Sequence, residues 1–63
     1  MASPLIPQDP AERAAELARV RQRIVDLTSL KSYLQARGAE EALIQDLDRA
    51  LQESLVRERA LMA

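Results

Sequence analysis

The side chains that could perform chemistry are limited to carboxylates, arginines, a few hydroxyls and one lysine. The 63-residue sequence contains neither cysteine nor histidine, which excludes thiolate and imidazole metal ligands, cysteine nucleophiles and histidine proton relays. Its hydroxyls therefore have no histidine base, and Lys31 is isolated. A single glycine leaves no glycine-rich loop for a phosphate. We expect a protein that is not an enzyme and that has no cofactor and no metal.

A basic run at residues 19–23 has the residue type of a nucleic-acid contact. On a helix its outer arginines, Arg19 and Arg23, share one face whereas the middle arginine points away. Acidic residues one turn away, Glu16 and Asp26, can pair with Arg19 and Arg23 respectively. Because the net charge is also −1, a solvated charged face is favoured and nucleic acid is not the expected partner. A small RNA- or DNA-binding regulator that uses Arg19 and Arg23 is the alternative function.

The elements that must position these side chains are helices. Ala, Leu, Arg and Glu dominate a chain that is 48% hydrophobic and lacks Phe and Trp, a composition typical of long helices. Residues 9–12 are typical of a helix N-terminus. Asp9 can act as the N-cap residue, Pro10 suits the first helical position and Glu12 lies in the first turn. The sole glycine, Gly38, has the residue type that ends a helix in the left-handed conformation.

We predict an all-α antiparallel hairpin of two helices, at about 10–37 and 40–62, with the turn at Gly38. One continuous helix in a parallel coiled coil is the main rival, because an interior glycine costs only about 1 kcal/mol. The hairpin is favoured because Gly38 lies near the middle of the chain. The acidic pair Glu40 and Glu41 follows it and suits a helix N-terminus.

The domain organisation predicted is a flexible N-terminal lead-in at residues 1–8 and a helical hairpin domain at residues 9–63. Residues 1–8 hold two of the three prolines, and they lack the basic and apolar regions of a signal peptide. The longest uncharged run is too short to cross a bilayer. We therefore expect no membrane association and a cytoplasmic location.

Large apolar residues recur at heptad spacing in both helices, which indicates one apolar seam on each. Folding at Gly38 brings residues whose numbers sum to about 76 into register. Ile24 then lies near Leu51, and Leu17 near Glu58. The predicted core and interface set comprises Leu17, Val20, Ile24, Leu27, Leu30, Leu34, Leu43, Ile44, Leu47, Leu51, Leu55 and Leu61.

Three polar residues, Lys31, Ser54 and Glu58, occupy core-type positions of these seams. A charged side chain in such a position usually extends to the rim and reaches solvent. The alternative is that these residues set the register or the oligomeric state, as a buried polar residue does in a coiled coil. The sequence leaves both interpretations open.

The charge distribution and the width of the apolar stripe favour association of two copies. Residues 1–37 carry six basic and four acidic side chains, whereas residues 38–63 carry three basic and six acidic ones, and opposite signs suit an antiparallel pair. The stripes are wider than one partner helix needs, and so small a chain buries a marginal core alone. We therefore predict a homodimeric four-helix bundle.

In architecture the chain resembles the small bacterial helical hairpins that dimerise into four-helix bundles, among them a plasmid copy-control RNA binder. No motif here matches the RNA-contacting face of that protein, so the resemblance concerns the fold. It implies a small bacterial or phage protein. The expectation that the protein acts through protein–protein interaction rests instead on the missing catalytic residue types and on the wide apolar stripe. We expect an adaptor, regulator or inhibitor that binds itself, a larger protein or both, or else an excised dimerisation domain of a longer protein.

Overall fold

The computed structural model describes residues 7–63 and consists of two helices that pack against each other as a hairpin. Helix α1 spans Pro10–Ala36 and helix α2 spans Glu41–Met62. Within the described residues there is no strand. The hairpin measures 45 × 19 × 15 Å. The predicted all-α hairpin is confirmed, and the single continuous helix is wrong; most of the predicted lead-in, residues 1–6, lies outside the described residues.

The N-terminus of α1 forms as its sequence predicts. Asp9 has extended backbone angles, and its Oδ1 accepts a hydrogen bond of 2.7 Å from the amide of Ala11. Pro10 takes the first helical position. A backbone N–H at that position has no acceptor within the helix, so proline, which lacks this N–H, loses no hydrogen bond there. The Arg13 amide donates to the Asp9 carbonyl at 2.8 Å. The cap therefore satisfies backbone groups that a helix start otherwise leaves unpaired.

The turn is a Schellman motif centred on Gly38. Its φ of +73° is the only positive φ in residues 7–63. The Ala39 amide donates to the Leu34 carbonyl at 3.0 Å, and the Gly38 amide donates to the Gln35 carbonyl at 3.2 Å. Helix α1 ends one residue before the predicted boundary because Arg37, with φ −92° and ψ 0°, has already left helical geometry.

Helix α2 starts one residue later than predicted, at Glu41. Glu40 is its N-cap residue, and the Glu40 side chain makes no capping bond. The Glu40 carbonyl accepts from the amides of Leu43 and Ile44 at 3.1 and 3.2 Å. The acidic side chain of Glu41 lies in the first turn, where the positive end of the helix dipole favours it.

The core between the helices is narrow. Among residues 7–63, the buried side chains are Val20, Ser54 and Leu61, at 7%, 7% and 2% exposure. Leu30 and Leu43, which flank the seams within the predicted core and interface set, are exposed at 44% and 46%. A two-helix layer shields each stripe from one direction, which leaves most of the seam half-buried: Leu17, Ile24, Leu27, Leu34, Ile44, Leu47, Leu51 and Leu55.

Candidate functional site

The hairpin has two broad faces, one on each side of the plane that contains both helix axes. On one face a shallow groove is lined from α1 by Glu16 and Arg23 and from α2 by Ala50 and Arg57. The Arg57 Nη2 atom lies 3.6 Å from the Glu16 Oε1 atom. These contacts establish which sides of the two helices meet at this face.

The same face becomes apolar toward the turn. Seven residues are two helical turns, so a step of seven stays on nearly the same side of a helix. From Arg23 that step reaches Leu30, and from Ala50 the step toward the turn reaches Leu43. We name this the leucine face and define it by six residues: Glu16, Arg23 and Leu30 on α1, and Leu43, Ala50 and Arg57 on α2.

The leucine face therefore has three levels along the hairpin. Glu16 and Arg57 form the charged level near the open end, Arg23 and Ala50 form the middle level, and Leu30 and Leu43 form the level near the turn. Leu30 also lines a shallow depression with Leu27, Arg23 and Arg19. Nearly half of each leucine at the turn level is exposed, so the rest of residues 7–63 covers the apolar end of this face only in part.

The opposite face carries two ion pairs between the helices. The Lys31 Nζ atom lies 2.5 Å from Asp48 Oδ1, and the Arg21 Nε atom lies 3.2 Å from Glu58 Oε2. The residue-number sums of these two pairs lie just above the value of about 76 that folding at Gly38 predicts, and that of the Glu16–Arg57 pair lies just below it. We name this the ion-pair face, and on its α1 side the steps of seven residues reach Ala14, Arg21, Thr28 and Gln35, which are all exposed.

The ion-pair face has large apolar side chains on α2, whereas its α1 side has none larger than the Ala14 methyl group. Leu55 is half-buried, and Met62 is 62% exposed. Arg21 extends over this end and donates from Nη2 to the Met62 sulfur at 3.5 Å. The exposed leucines of residues 7–63 are Leu30 on α1 and Leu43 on α2, and the steps of seven residues place both on the leucine face. That face is therefore the candidate interaction surface of the described residues.

Of the three polar seam residues, two reach the other helix and one does not. Lys31 and Glu58 form the cross-helix ion pairs with Asp48 and Arg21. The Ser54 hydroxyl instead donates to the Ala50 carbonyl of its own helix at 3.0 Å. A serine bonded to the carbonyl one turn earlier is satisfied without a partner on α1. Within residues 7–63 every buried side-chain nitrogen and oxygen atom has a hydrogen-bond partner.

Glu16 holds two arginines, one from each helix. The Arg19 Nη2 atom donates to Glu16 Oε2 at 2.7 Å, and Arg57 lies at the other carboxylate oxygen. The hydrogen bond from Arg19 lowers the pKa of Glu16 below its ordinary value of 4.5; desolvation opposes this, while the positive charges of Arg19 and Arg57 add to the lowering. This arrangement pairs Arg19, one of the two arginines of the nucleic-acid alternative, with a carboxylate.

Arg19 and Arg23, the two arginines of the nucleic-acid alternative, differ in their contacts. The predicted pair of Arg19 with Glu16 is confirmed. Asp26, predicted as a partner of Arg23, instead accepts a hydrogen bond of 3.0 Å from Gln22 Nε2. The spacing of Gln22 and Asp26, four residues apart, places them one above the other on the helix surface. Arg23 is exposed on the leucine face.

The cross-helix pairs of Arg21 with Glu58 and of Glu16 with Arg57 were not predicted. The sequence does contain a signal for them. The two residue numbers of each pair sum to within three of 76, the value predicted for the antiparallel register. Sequence reasoning assigned Glu16 to its own helix and considered Glu58 beside Leu17. Heptad positions alone do not say toward which face a long side chain turns.

Two classes of site are missing from the described part of the chain. Residues 7–63 contain no group of three or more acidic side chains placed to hold a metal ion. Neither α1 nor α2 has a stretch long and apolar enough to cross a membrane. What the two helices do present is the leucine face.

Comparison with known proteins identifies no relative for this chain. No family model matches it, and no curated protein or solved structure is significantly similar. The feature of the described residues that bears on function is therefore the leucine face.

Proposed function

We propose that this protein is a non-enzymatic interaction module, a helical hairpin that homodimerises through its leucine face into a four-helix bundle. The observation that supports the proposal most strongly is the exposure of Leu30 and Leu43 at the same level of one face, at 44% and 46%. A contiguous patch of exposed apolar side chains is a mark of an association surface.

The energetics of so small a core support the same proposal. Full burial of a leucine contributes about 1.5–3 kcal/mol, so covering the exposed part of Leu30 or Leu43 contributes about 1 kcal/mol. A symmetric dimer covers four such side chains, for a total of about 4 kcal/mol. Each chain thus gains about 2 kcal/mol, which is a large fraction of the roughly 3–5 kcal/mol that one core supplies in a chain of this length.

Within this proposal the dimer acts as an adaptor, regulator or inhibitor of a larger protein. The side of α1 that faces away from α2 carries Val25 and Tyr33, exposed at 57% and 55%. Val25 lies on the side of α1 away from the leucine face, where a larger protein would contact it, whereas Tyr33 lies three residues from Leu30 at the edge of that face. A non-enzymatic role agrees with a sequence that has neither histidine nor cysteine.

The oligomeric state in solution tests the proposal. We expect sedimentation and light scattering to give twice the 7.0 kDa mass of one chain at high micromolar concentration. The melting temperature should rise with protein concentration, because association stabilises the folded chain by mass action. A well-folded monomer across the whole concentration range would contradict the homodimer and would direct the search to a different partner protein.

Matched variants locate the surface. Leu30→Glu and Leu43→Glu place a charge on the leucine face and should shift the protein to monomer. Val25→Glu and Val56→Glu alter side chains that are even more exposed, at 57% and 64%, on the outer sides of the helices. These two controls should remain dimeric; a loss of dimer in the controls alone would place the interface on the outer sides.

A further inference from the structure

We propose that the two hairpins of the dimer pack with their turns at the same end, so that α1 of each protomer lies against α2 of its partner. This inference rests on the homodimer proposed above and adds its orientation. In this arrangement Leu30 meets the partner's Leu43, Arg23 meets the partner's Ala50, and Glu16 meets the partner's Arg57. Each level of the leucine face is thus repeated across the interface.

Two-fold symmetry allows two ways to pack the leucine faces of identical hairpins. When the axis runs parallel to the helices, the turns share one end and α1 lies against the partner's α2. When the axis crosses the helices within the interface, the turns lie at opposite ends. In that case α1 lies against the partner's α1, and α2 against the partner's α2.

The distribution of apolar side chains along the face favours the first arrangement. Leu30 and Leu43 both lie at the turn level, while Glu16 and Arg57 lie at the open end. With turns at the same end, four leucines meet at one level and can exclude water together. With turns at opposite ends, the leucines of each protomer cover the partner's Glu16–Arg57 pair, which removes water from two charged groups and offers them no polar group in exchange.

The charges of the two helices favour the same arrangement independently. Helix α1 carries five basic and three acidic side chains, and α2 carries three basic and five acidic ones. Turns at the same end bring helices of opposite net charge together across the interface. Turns at opposite ends bring like-charged helices together.

The charge of Arg23 at the middle level of the leucine face also distinguishes the two arrangements. Arg23 lies at the midpoint of α1. It lines the same groove as Ala50 and Glu53 of α2. An axis that crosses the helices at mid-length places Arg23 near the partner's Arg23, where two positive charges repel. An axis parallel to the helices places Arg23 beside the partner's Ala50 and within reach of the partner's Glu53.

The absence of cysteine from the sequence permits a direct test of orientation. Glu40→Cys places a single thiol at the turn, where the native side chain makes no capping bond. Ala11→Cys places one at the open end, on an exposed position. Each variant is labelled with a nitroxide, and electron paramagnetic resonance measures the distance between the two labels of a dimer.

We expect both homodimers to give short distances, comparable with the 19 × 15 Å cross-section of one hairpin. A mixed dimer of the two labelled variants should give a long distance, comparable with the 45 Å length. The reverse result, long in each homodimer and short in the mixed dimer, would overturn the orientation and leave the homodimer standing. A protein that shows no label–label coupling and sediments as a monomer would overturn both proposals.

Discussion

The ammonium group of Lys31 on α1 lies 2.5 Å from a carboxylate oxygen of Asp48 on α2. Lys31 occupies a core-type position of its heptad, yet its side chain is 27% exposed because it turns toward the ion-pair face to reach Asp48. A charge in the seam is thus accommodated at the rim of the core by a partner from the other helix. This pair lies close to the turn and links the helices where α1 has its exposed leucine.

Reversal of the two charges tests whether this pair contributes to stability. Lys31→Glu and Asp48→Lys should each lower the free energy of unfolding by about 0.5–1 kcal/mol, because each places like charges together. The double variant should recover most of the loss, and thermal unfolding of all four proteins yields the coupling energy. Strictly additive losses would show that Lys31 and Asp48 act independently.

The pKa of Glu16 predicts an acid-dependent loss of stability. Since the folded-state pKa lies below the ordinary 4.5, the contribution of Glu16 is present above that value and is lost as the pH falls through the lowered pKa. Glu16→Gln should therefore melt below the unaltered protein at neutral pH, with a difference that shrinks in acid. A carboxylate NMR titration of Glu16 should have its midpoint below 4.5; a midpoint above it would contradict the prediction.

The positive φ of Gly38 predicts a conformational cost for any other residue at the turn. A Cβ atom at Gly38 would meet no atom within 4 Å, so crowding is not the reason. The reason is φ of +73°, which costs an L-residue about 1–2 kcal/mol. Gly38→Val should lower the melting temperature, and Gly38→Asn should lower it less because asparagine tolerates this conformation. A higher melting temperature for Gly38→Val, with elongation in scattering, would indicate a single helix.

Leu61 is the most buried side chain of the described residues, at 2% exposure, although it lies close to the C-terminal end of α2. It shares a depression with Leu17, Ala14 and Pro10 from the first turns of α1. Leu61→Ala should cost about 2–5 kcal/mol in the free energy of unfolding. Val56→Ala is the control, since that side chain is 64% exposed. Equal stability of the two variants would mean that the last turn of α2 contributes no packing.

We predict that the protein binds polyanions only weakly through Arg19 and Arg23. Arg19 is paired with Glu16, and the net charge of the chain is −1. The protein should elute from heparin below physiological salt, and Arg19→Ala with Arg23→Ala should elute at nearly the same salt. Retention above physiological salt that this double variant abolishes would instead support the nucleic-acid regulator.

Local structure followed from the sequence because its signals are local. Asp9, Pro10 and Gly38 act on backbone groups within a few residues, so both helices were predicted to within one residue at each inner boundary. The antiparallel register also followed, since a turn at Gly38 leaves little freedom in how the helices align. Heptad spacing identified the seam for the same reason, as it depends only on helical periodicity.

Tertiary structure decided what each side chain of the seam meets. A heptad pattern assigns Leu30 and Val20 to the same stripe, yet Val20 is 7% exposed and Leu30 is 44% exposed. The difference arises because α2 covers the centre of the stripe and leaves its flank open. The sequence by itself determined two amphipathic helices and the turn between them. The packing of one helix on the other decided that leucines from both would remain uncovered on one face, because burial depends on where the neighbouring helix lies and not on the residue alone.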